Sequence, residues 1–140
     1  MEKDLLKLDA QLCFPLYACS REIIKRYRPF LEPLQLTYTK YIVMMVLWEE
    51  DGIGLKSIGE RLFLDSGTLT PLLKSLEDQG LIIRTREPKD ERSVVVTLTE
   101  DGKALKERAK GIPTKMAKCL SLTKDEFTAL YKGAYKILGK

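Results

Sequence analysis

Residues 61–98 read RLFLDSGTLTPLLKSLEDQGLIIRTREPKDERSVVVTL. Leu69, Leu72, Leu73 and Leu76 fall at i, i+3, i+4 and i+7, so the spacing predicts an amphipathic helix with one buried face. Ser66, Thr68, Thr70 and Lys74 are left largely on the other side. Asp65 or Ser66 caps the first turn, because a side-chain oxygen there accepts free backbone N–H groups. Gly80 ends the helix, as a residue tolerant of positive φ does. Behind it, residues 81–86 predict a basic strand, 87–92 a charged turn and 93–98 a second strand. In the last, Val94, Val96 and Leu98 alternate with Ser93, Val95 and Thr97, the period of a half-buried strand. An ordinary core helix explains the leucine spacing equally well. A polar turn, that helix and a hairpin, in this order, are a helix-turn-helix with a β-hairpin wing, an arrangement that reads duplex DNA.

The hydroxyl residues at the helix start can approach phosphates and base edges closely. Ser66, Thr68, Thr70, Pro71 and Lys74 are the candidate reading residues. Arg84, Arg86, Lys89 and Arg92 sit on or beside the connecting turn, where a basic finger can follow a phosphate backbone or enter a narrow minor groove; Arg84, Arg86 and Arg92 are taken as candidate contacts. Glu87, Asp90 and Glu91 cancel much of this charge. A pairing of Arg92 with Asp90 or Glu91 that simply orders the turn stays open.

The 140 residues suit one domain, or one domain with a dimerisation element, and 44% hydrophobic residues can bury a core. No apolar run approaches a membrane span, and the acidic, leucine-containing start lacks the form of a signal peptide, so a cytoplasmic location with no membrane partner is expected. Three cysteines at no regular spacing do not suggest a secreted disulfide scaffold. The absence of histidine removes most zinc, haem and non-haem iron sites and every Ser-His or Cys-His hydrolase. Neither a metal nor a cofactor nor an enzymatic activity is expected. The net charge of +4 argues only weakly for nucleic acid, because residues 55–92 hold seven basic and seven acidic side chains while residues 100–140 hold ten and five. Specific placement must therefore do more than bulk charge.

The rest reads as scaffold. Residues 5–31 predict one long helix with two neighbouring stripes, Leu12, Leu16, Cys19 and Ile23 beside Cys13, Tyr17, Ser20, Ile24, Tyr27 and Leu31. Thr37 caps a second helix reaching Glu50, whose 42–48 run is apolar all round. Residues 55–62 form a short third helix supporting the reading helix. Thr99 opens a fifth, to about Lys110. Thr123 and Glu126 form a capping box for a sixth, faced by Phe127, Leu130, Tyr131, Ala134, Ile137 and Leu138. The expected fold is mainly α with a small β-hairpin wing: a single winged-helix domain over 1–140, dimerisation helices at 5–36 and 112–140, and a DNA-binding lobe at 37–111 with its wing at 81–98. A twofold homodimer built from both ends covers the broad terminal faces. It sets two reading helices about 34 Å apart, one DNA turn, on a pseudo-palindromic operator.

Four blocks carry a resemblance: QLCFPLYACSREI at 11–23, LTYTKYIVMMVLWE at 36–49, GERLFLDSGTLTPLLKSLE at 59–77 and DERSVVVTLTEDG at 90–102. Through them nearly the whole chain resembles the multiple-antibiotic-resistance (MarR) regulator family, and within it the branch that senses organic hydroperoxides. The last two blocks mark the broader family; the first two, with their cysteine, mark the branch. The resemblance implies a homodimeric winged-helix repressor whose helix near 66–74 enters the major groove and whose Arg92 reaches the minor groove.

It also implies a chemistry. The branch uses one cysteine in the first helix, within L-C-F, which is Cys13 here. Attack on a peroxide O–O bond needs the thiolate, and the product is a sulfenic acid that can go on to a disulfide. Two tyrosines of the branch that hydrogen-bond this cysteine match Tyr27 and Tyr38, and phenol donors favour thiolate over thiol. Fourteen residues of continuous helix span about 21 Å, so Tyr27 cannot reach its own Cys13 and the bond must come from the partner subunit. Pro15 either kinks the first helix or marks a start near Phe14, which would set Cys13 at a positive helix end. Cys119, in the linker between the fifth and sixth helices, falls roughly where some relatives carry a resolving cysteine, and Cys19 reads as core. Two alternatives are kept: a repressor released by a small phenolic or apolar ligand in the dimer cleft, with Cys13 merely packed, and a thiol peroxidase, for which no recycling residue is visible.

Overall fold

A computed structural model describes residues 4–87 and 90–140, with the backbone alone at 87 and 90–92. In chain order the elements are α1 (Cys13–Leu31), α2 (Tyr38–Glu49), β1 (Ile53–Gly54), α3 (Leu55–Leu62), α4 (Ser66–Asp78), β2 (Ile82–Glu87), β3 (Asp90–Leu98), α5 (Glu100–Ala109), α6 (Ile112–Leu120) and α7 (Lys124–Ile137), with short 3-10 turns at Leu8–Ala10 and Glu32–Leu34. They form two compact units, one ending at Lys110 and one beginning at Gly111.

Four helices start where a side chain caps them. Thr37, Asp65, Thr99 and Thr123 each accept the backbone N–H three residues on, and Glu126 returns the bond to Thr123. In the first unit, Leu31, Met44, Leu47, Ile58, Leu69, Leu73, Leu76, Ile82 and Val96 are fully buried. Five buried residues of α2, Tyr41, Val43, Met44, Val46 and Leu47, run round the helix, as its apolar sequence requires of a central element. Between α3 and α4 the chain reverses through Phe63 at φ 56°, with the Leu64 N–H donating to the Gly59 carbonyl (2.9 Å). Only glycine fits at 59, because a Cβ there would lie 2.7 Å from the Leu64 oxygen. α4 stops at Gly80 (φ 77°) in a Schellman motif: Leu81 N–H donates to the Leu76 carbonyl (3.0 Å) and Gly80 N–H to that of Glu77 (2.9 Å).

The sheet is antiparallel in the order β1-β3-β2, with Ile53 opposite Val96 and Ile82 opposite Leu98. β1 was not legible, since two residues carry no period. The hairpin is longer than the sequence predicts: pairing continues past Arg86 to Glu87 opposite Asp90, so the charged arms pair although they lack apolar alternation.

Two expectations are corrected. The first helix begins at Cys13, not at residue 5, and Gln11 is extended (φ −97°, ψ 125°). Pro15 gives the reason: four residues back its ring would meet the Gln11 carbonyl, whereas in the first turn its missing N–H costs nothing. The stretch expected as a linker before Thr123 holds α6, begun by Gly111-Ile112-Pro113 with proline in the first turn.

Candidate nucleic-acid interface and thiol site

α4 separates its faces cleanly. Leu69, Leu73 and Leu76 are buried, while Ser66, Thr68, Thr70, Pro71 and Lys74 are exposed together. Asp65 closes the first turn: its Oδ1 accepts the Thr68 N–H (2.7 Å), and this bond, followed by the Thr68 hydroxyl, holds the carboxyl below the ordinary carboxylate range. The Thr70 hydroxyl donates to the Ser66 carbonyl (2.7 Å). Pro71 has no N–H for the Gly67 carbonyl. The N-terminal turn thus presents small side chains, hydroxyls and backbone N–H groups at the positive end of a helix dipole, which suits a phosphate.

Of the candidate wing residues, Arg84 is engaged within the unit. Its backbone N–H donates to Glu77 Oε2 (2.9 Å) and its guanidinium to Glu77 Oε1 (3.1 Å), so one carboxylate holds the first strand of the hairpin to α4. The hydrogen bonds from Arg84 hold the Glu77 carboxyl below the ordinary range. Arg84 Nε is buried and makes no hydrogen bond. Arg86 is exposed on β2. Lys89 and the side chain of Arg92 lie outside the described residues.

Cys13 is the first residue of α1 and is exposed; Cys119 is exposed near the end of α6 in the other unit. Cys19 is also exposed rather than core. The reason is that α1 buries only Leu31, and Leu12, Phe14, Leu16, Tyr17 and Ile24 stand open. α7 buries nothing, and Phe127, Leu130, Tyr131, Ile137 and Leu138 are exposed, with the rings of 127, 131 and 135 laddered along it.

Tyr27 and Tyr38 come together, with ring centroids 4.9 Å apart. Tyr41 joins them at 5.7 Å and 6.4 Å and leads on to Trp48 at 6.5 Å. Burial, then the neighbouring Tyr38 and Tyr41, push the Tyr27 phenol up to about 12, and burial followed by Tyr38 raises Tyr41. Both hydroxyls therefore stay protonated, as donors, across the neutral range. Cys13 and Tyr27 occupy one continuous helix, about 21 Å apart by rise. Sequence reasoning missed Glu77, Gln79 and Tyr41. The first two signal nothing alone, since their partners lie across a turn or 44 residues away; Tyr41, three residues after Tyr38, was readable as its neighbour on one helix face. Among the described residues no group of His, Cys, Asp or Glu is gathered for a metal, and no helix is long and apolar enough to cross a membrane.

Residues 25–109 match the family model of the transcriptional regulator SarA/Rot. The chain is 47% identical over 135 residues to the organic hydroperoxide resistance transcriptional regulator of Bacillus subtilis, covering 96% of this chain and 92% of that one. It is 44% identical over 133 residues to the HTH-type transcriptional regulator SarZ of Staphylococcus aureus, covering 95% and 90%. Among solved structures it is similar to AbfR of Staphylococcus epidermidis. The reduced protein bound to DNA matches with a TM-score of 0.80 at 36% identity, covering 94% of this chain and 91% of that one, and a disulfide form matches at 0.68.

Proposed function

The chain belongs to the SarA/Rot family of transcriptional regulators, winged-helix proteins of the MarR type, and from that premise we propose that it is a homodimeric repressor released from its operator when an organic hydroperoxide oxidises Cys13. The observation that carries the reading is the place of Cys13: exposed, at the positive end of a helix whose apolar residues stand uncovered, in a chain whose α4 presents an exposed polar face. α1 and α7 are the dimerisation helices, since apolar faces this broad need a partner. The lobe at 37–111 reads DNA with Ser66, Thr68, Thr70, Pro71 and Lys74 in the major groove and with Arg86 and Arg92 along the wing, while Arg84, engaged by Glu77, ties the hairpin to α4. A regulator of this kind works in the cytoplasm, where its operator is.

In the chemical step the Cys13 thiolate attacks one peroxide oxygen. The S–O bond forms, the O–O bond breaks, sulfur loses two electrons, and the departing alkoxide takes a proton and leaves as an alcohol. Tyr27 and Tyr38 of the partner subunit donate hydrogen bonds to the thiolate and lose them to the sulfenic acid. Cys119 of the partner then takes the resolving role: its thiol displaces hydroxide from the sulfenic acid, giving a disulfide and water. A Cys13-dependent dimer band on non-reducing gels is expected, and its absence removes Cys119 from the scheme.

A second reading has one observation in its favour. A cavity of about 400 Å³ is bounded by Ile24, Leu31, Leu36 and Tyr38 with Arg28, Glu32, Thr37 and Thr39, a mixed lining that could take a small phenolic ligand releasing DNA without cysteine chemistry. Cys13→Ser separates the two in a mobility-shift assay on the duplex flanking the gene, at fixed salt. Under the first reading the variant binds DNA and ignores hydroperoxide; a variant still released by hydroperoxide sinks it.

A further inference from the structure

The corner between α1 and α2 is gripped by two long side chains from later in the same unit. Arg108 of α5 donates to the Pro33 carbonyl (2.9 Å). Gln79, which closes α4, uses both ends of its carboxamide: Oε1 accepts from Lys40 Nζ (2.8 Å) and Nε2 donates to the Gln35 carbonyl (2.8 Å). These partners fix the sense of the amide, because a flip would set N–H against ammonium and carbonyl against carbonyl. Gln35 stands in the left-handed conformation (φ 56°) that turns the chain after α1. Lys40 lies in the first turn of α2, two residues from Tyr38, and its own N–H makes the Thr37 cap. One side chain, from the residue that caps the C-terminus of α4, thus touches the turn that follows α1 and the first turn of α2.

We propose that Gln79 is the positioning residue through which the state of the tyrosine cluster reaches α4, a role that rests on the peroxide-released reading above. The leucines under α4 hold it by attraction that is non-directional. The Gln79 contacts are directional, one of them to a full charge, and are lost over a displacement of about 1 Å. A small shift of the corner when the tyrosines change partner is therefore felt at the end of α4 while the leucine core stays closed.

The test uses the full chain, the duplex flanking the gene and cumene hydroperoxide. DNA affinity is measured by anisotropy for reduced and treated protein, and Cys13 sulfenate is counted by dimedone labelling and mass spectrometry. Gln79→Leu removes both contacts. It should label at the wild-type rate and still bind the duplex in the reduced state. Its ratio of reduced to oxidised affinity should fall by about fivefold or more, a typical coupling factor between linked sites. Lys40→Met, which cuts only the charged contact, should lower the ratio in the same direction and carries the test where Gln79→Leu does not fold. A merely structural Gln79 would weaken both affinities alike and keep the ratio, and that result overturns the role. A wild type without any ratio overturns the peroxide-released reading, and the role of Gln79 with it.

Discussion

Gly102 of α5 sits against Trp48 of α2, Leu98 of β3 and the Leu81 backbone, and adding one methyl there should cost more than at any other glycine. Its carbonyl accepts the indole N–H of Trp48 on α2 (2.9 Å), and its N–H donates to the Thr99 cap (3.0 Å). A Cβ built on it would lie far inside van der Waals contact with the Leu81 carbonyl oxygen, 3.2 Å from that carbonyl carbon and 3.2 Å from a Leu98 methyl. Leu81 cannot swing away. Its oxygen accepts the Thr99 N–H (3.1 Å), its own N–H closes the α4 Schellman motif, and the Thr99 hydroxyl donates to the Gly80 carbonyl (2.6 Å). Overpacking against fixed backbone costs about 3 kcal/mol, the upper end of its usual range. Displacing the Trp48 bond costs about 1 kcal/mol, and the better helix propensity of alanine returns about 1 kcal/mol. Gly102→Ala should therefore lose about 3 kcal/mol, a large part of an ordinary domain's stability, and lower the Tm by about 10 °C. Thermal unfolding by circular dichroism, at fixed protein concentration because a dimer's stability depends on it, measures this. Gly133→Ala in α7, with nothing within 4 Å of its Cβ, is the control and should gain about 1 kcal/mol from propensity alone. A Gly102→Ala protein as stable as wild type would refute the close approach and the joint built on it.

Glu77→Gln should loosen the hairpin from α4 and weaken DNA binding. Because the folded Glu77 carboxyl lies below its unfolded value, its contribution is complete above about pH 4.3 and is lost as pH falls through the lower folded value; the stability gap between variant and wild type should close over that acid window in pH-dependent denaturation. Tyr27 has the opposite sign: its folded phenol is pushed up to about 12 from 10.0, so stability holds below pH 10 and declines as pH rises towards 12. A late phenolate step in the ultraviolet titration should disappear in Tyr27→Phe. Lys74→Ala should weaken operator binding about equally for all sequences and reduce the log–log salt slope by about one; an unchanged slope would take Lys74 off the phosphates.

Much of the helical fold was legible because its helices announce themselves locally. Thr37, Asp65, Thr99 and Thr123 are capping residues directly before an apolar period, and all four cap in the structure. The start of α1 was harder, since Leu5, Leu6 and Leu8 continue the apolar spacing and only the Pro15 ring against the Gln11 carbonyl decides the boundary. α6 was harder still, because no side chain caps its start. Within the candidate site the residue types were legible and their partners were not. Arg84 reads as a phosphate ligand in sequence and is found holding Glu77, because a charge on a strand meets whatever the neighbouring helix places opposite it. Gln79 and Lys40, 39 residues apart, meet through tertiary packing that no local period encodes.

The separation of Cys13 from Tyr27 along one helix dictates how the proposed switch is wired, and the wiring can be tested without a structure of the dimer. If the tyrosines that serve a thiol belong to the partner, each subunit's oxidation acts on the other subunit's Tyr27–Tyr38–Tyr41 cluster. From there the rings lead to Trp48 and Gly102, and Tyr38 stands beside the Lys40–Gln79 contact. Consider dimers mixed from two tagged chains. With Cys13→Ser in one chain and Tyr27→Phe with Tyr38→Phe in the other, one seam loses both its thiol and its phenols while the other keeps both. With all three substitutions in one chain and none in the other, each seam lacks one half. The crossed arrangement therefore predicts that the first mixture retains fast Cys13 sulfenate formation and release of DNA, and that the second has neither, although the two dimers carry the same three substitutions. Sensors contained within single subunits predict the reverse, because the second mixture would then hold one untouched chain. Dimedone labelling of the purified mixed dimers decides between them, and a faster-reacting second mixture would remove the shared seam from the mechanism.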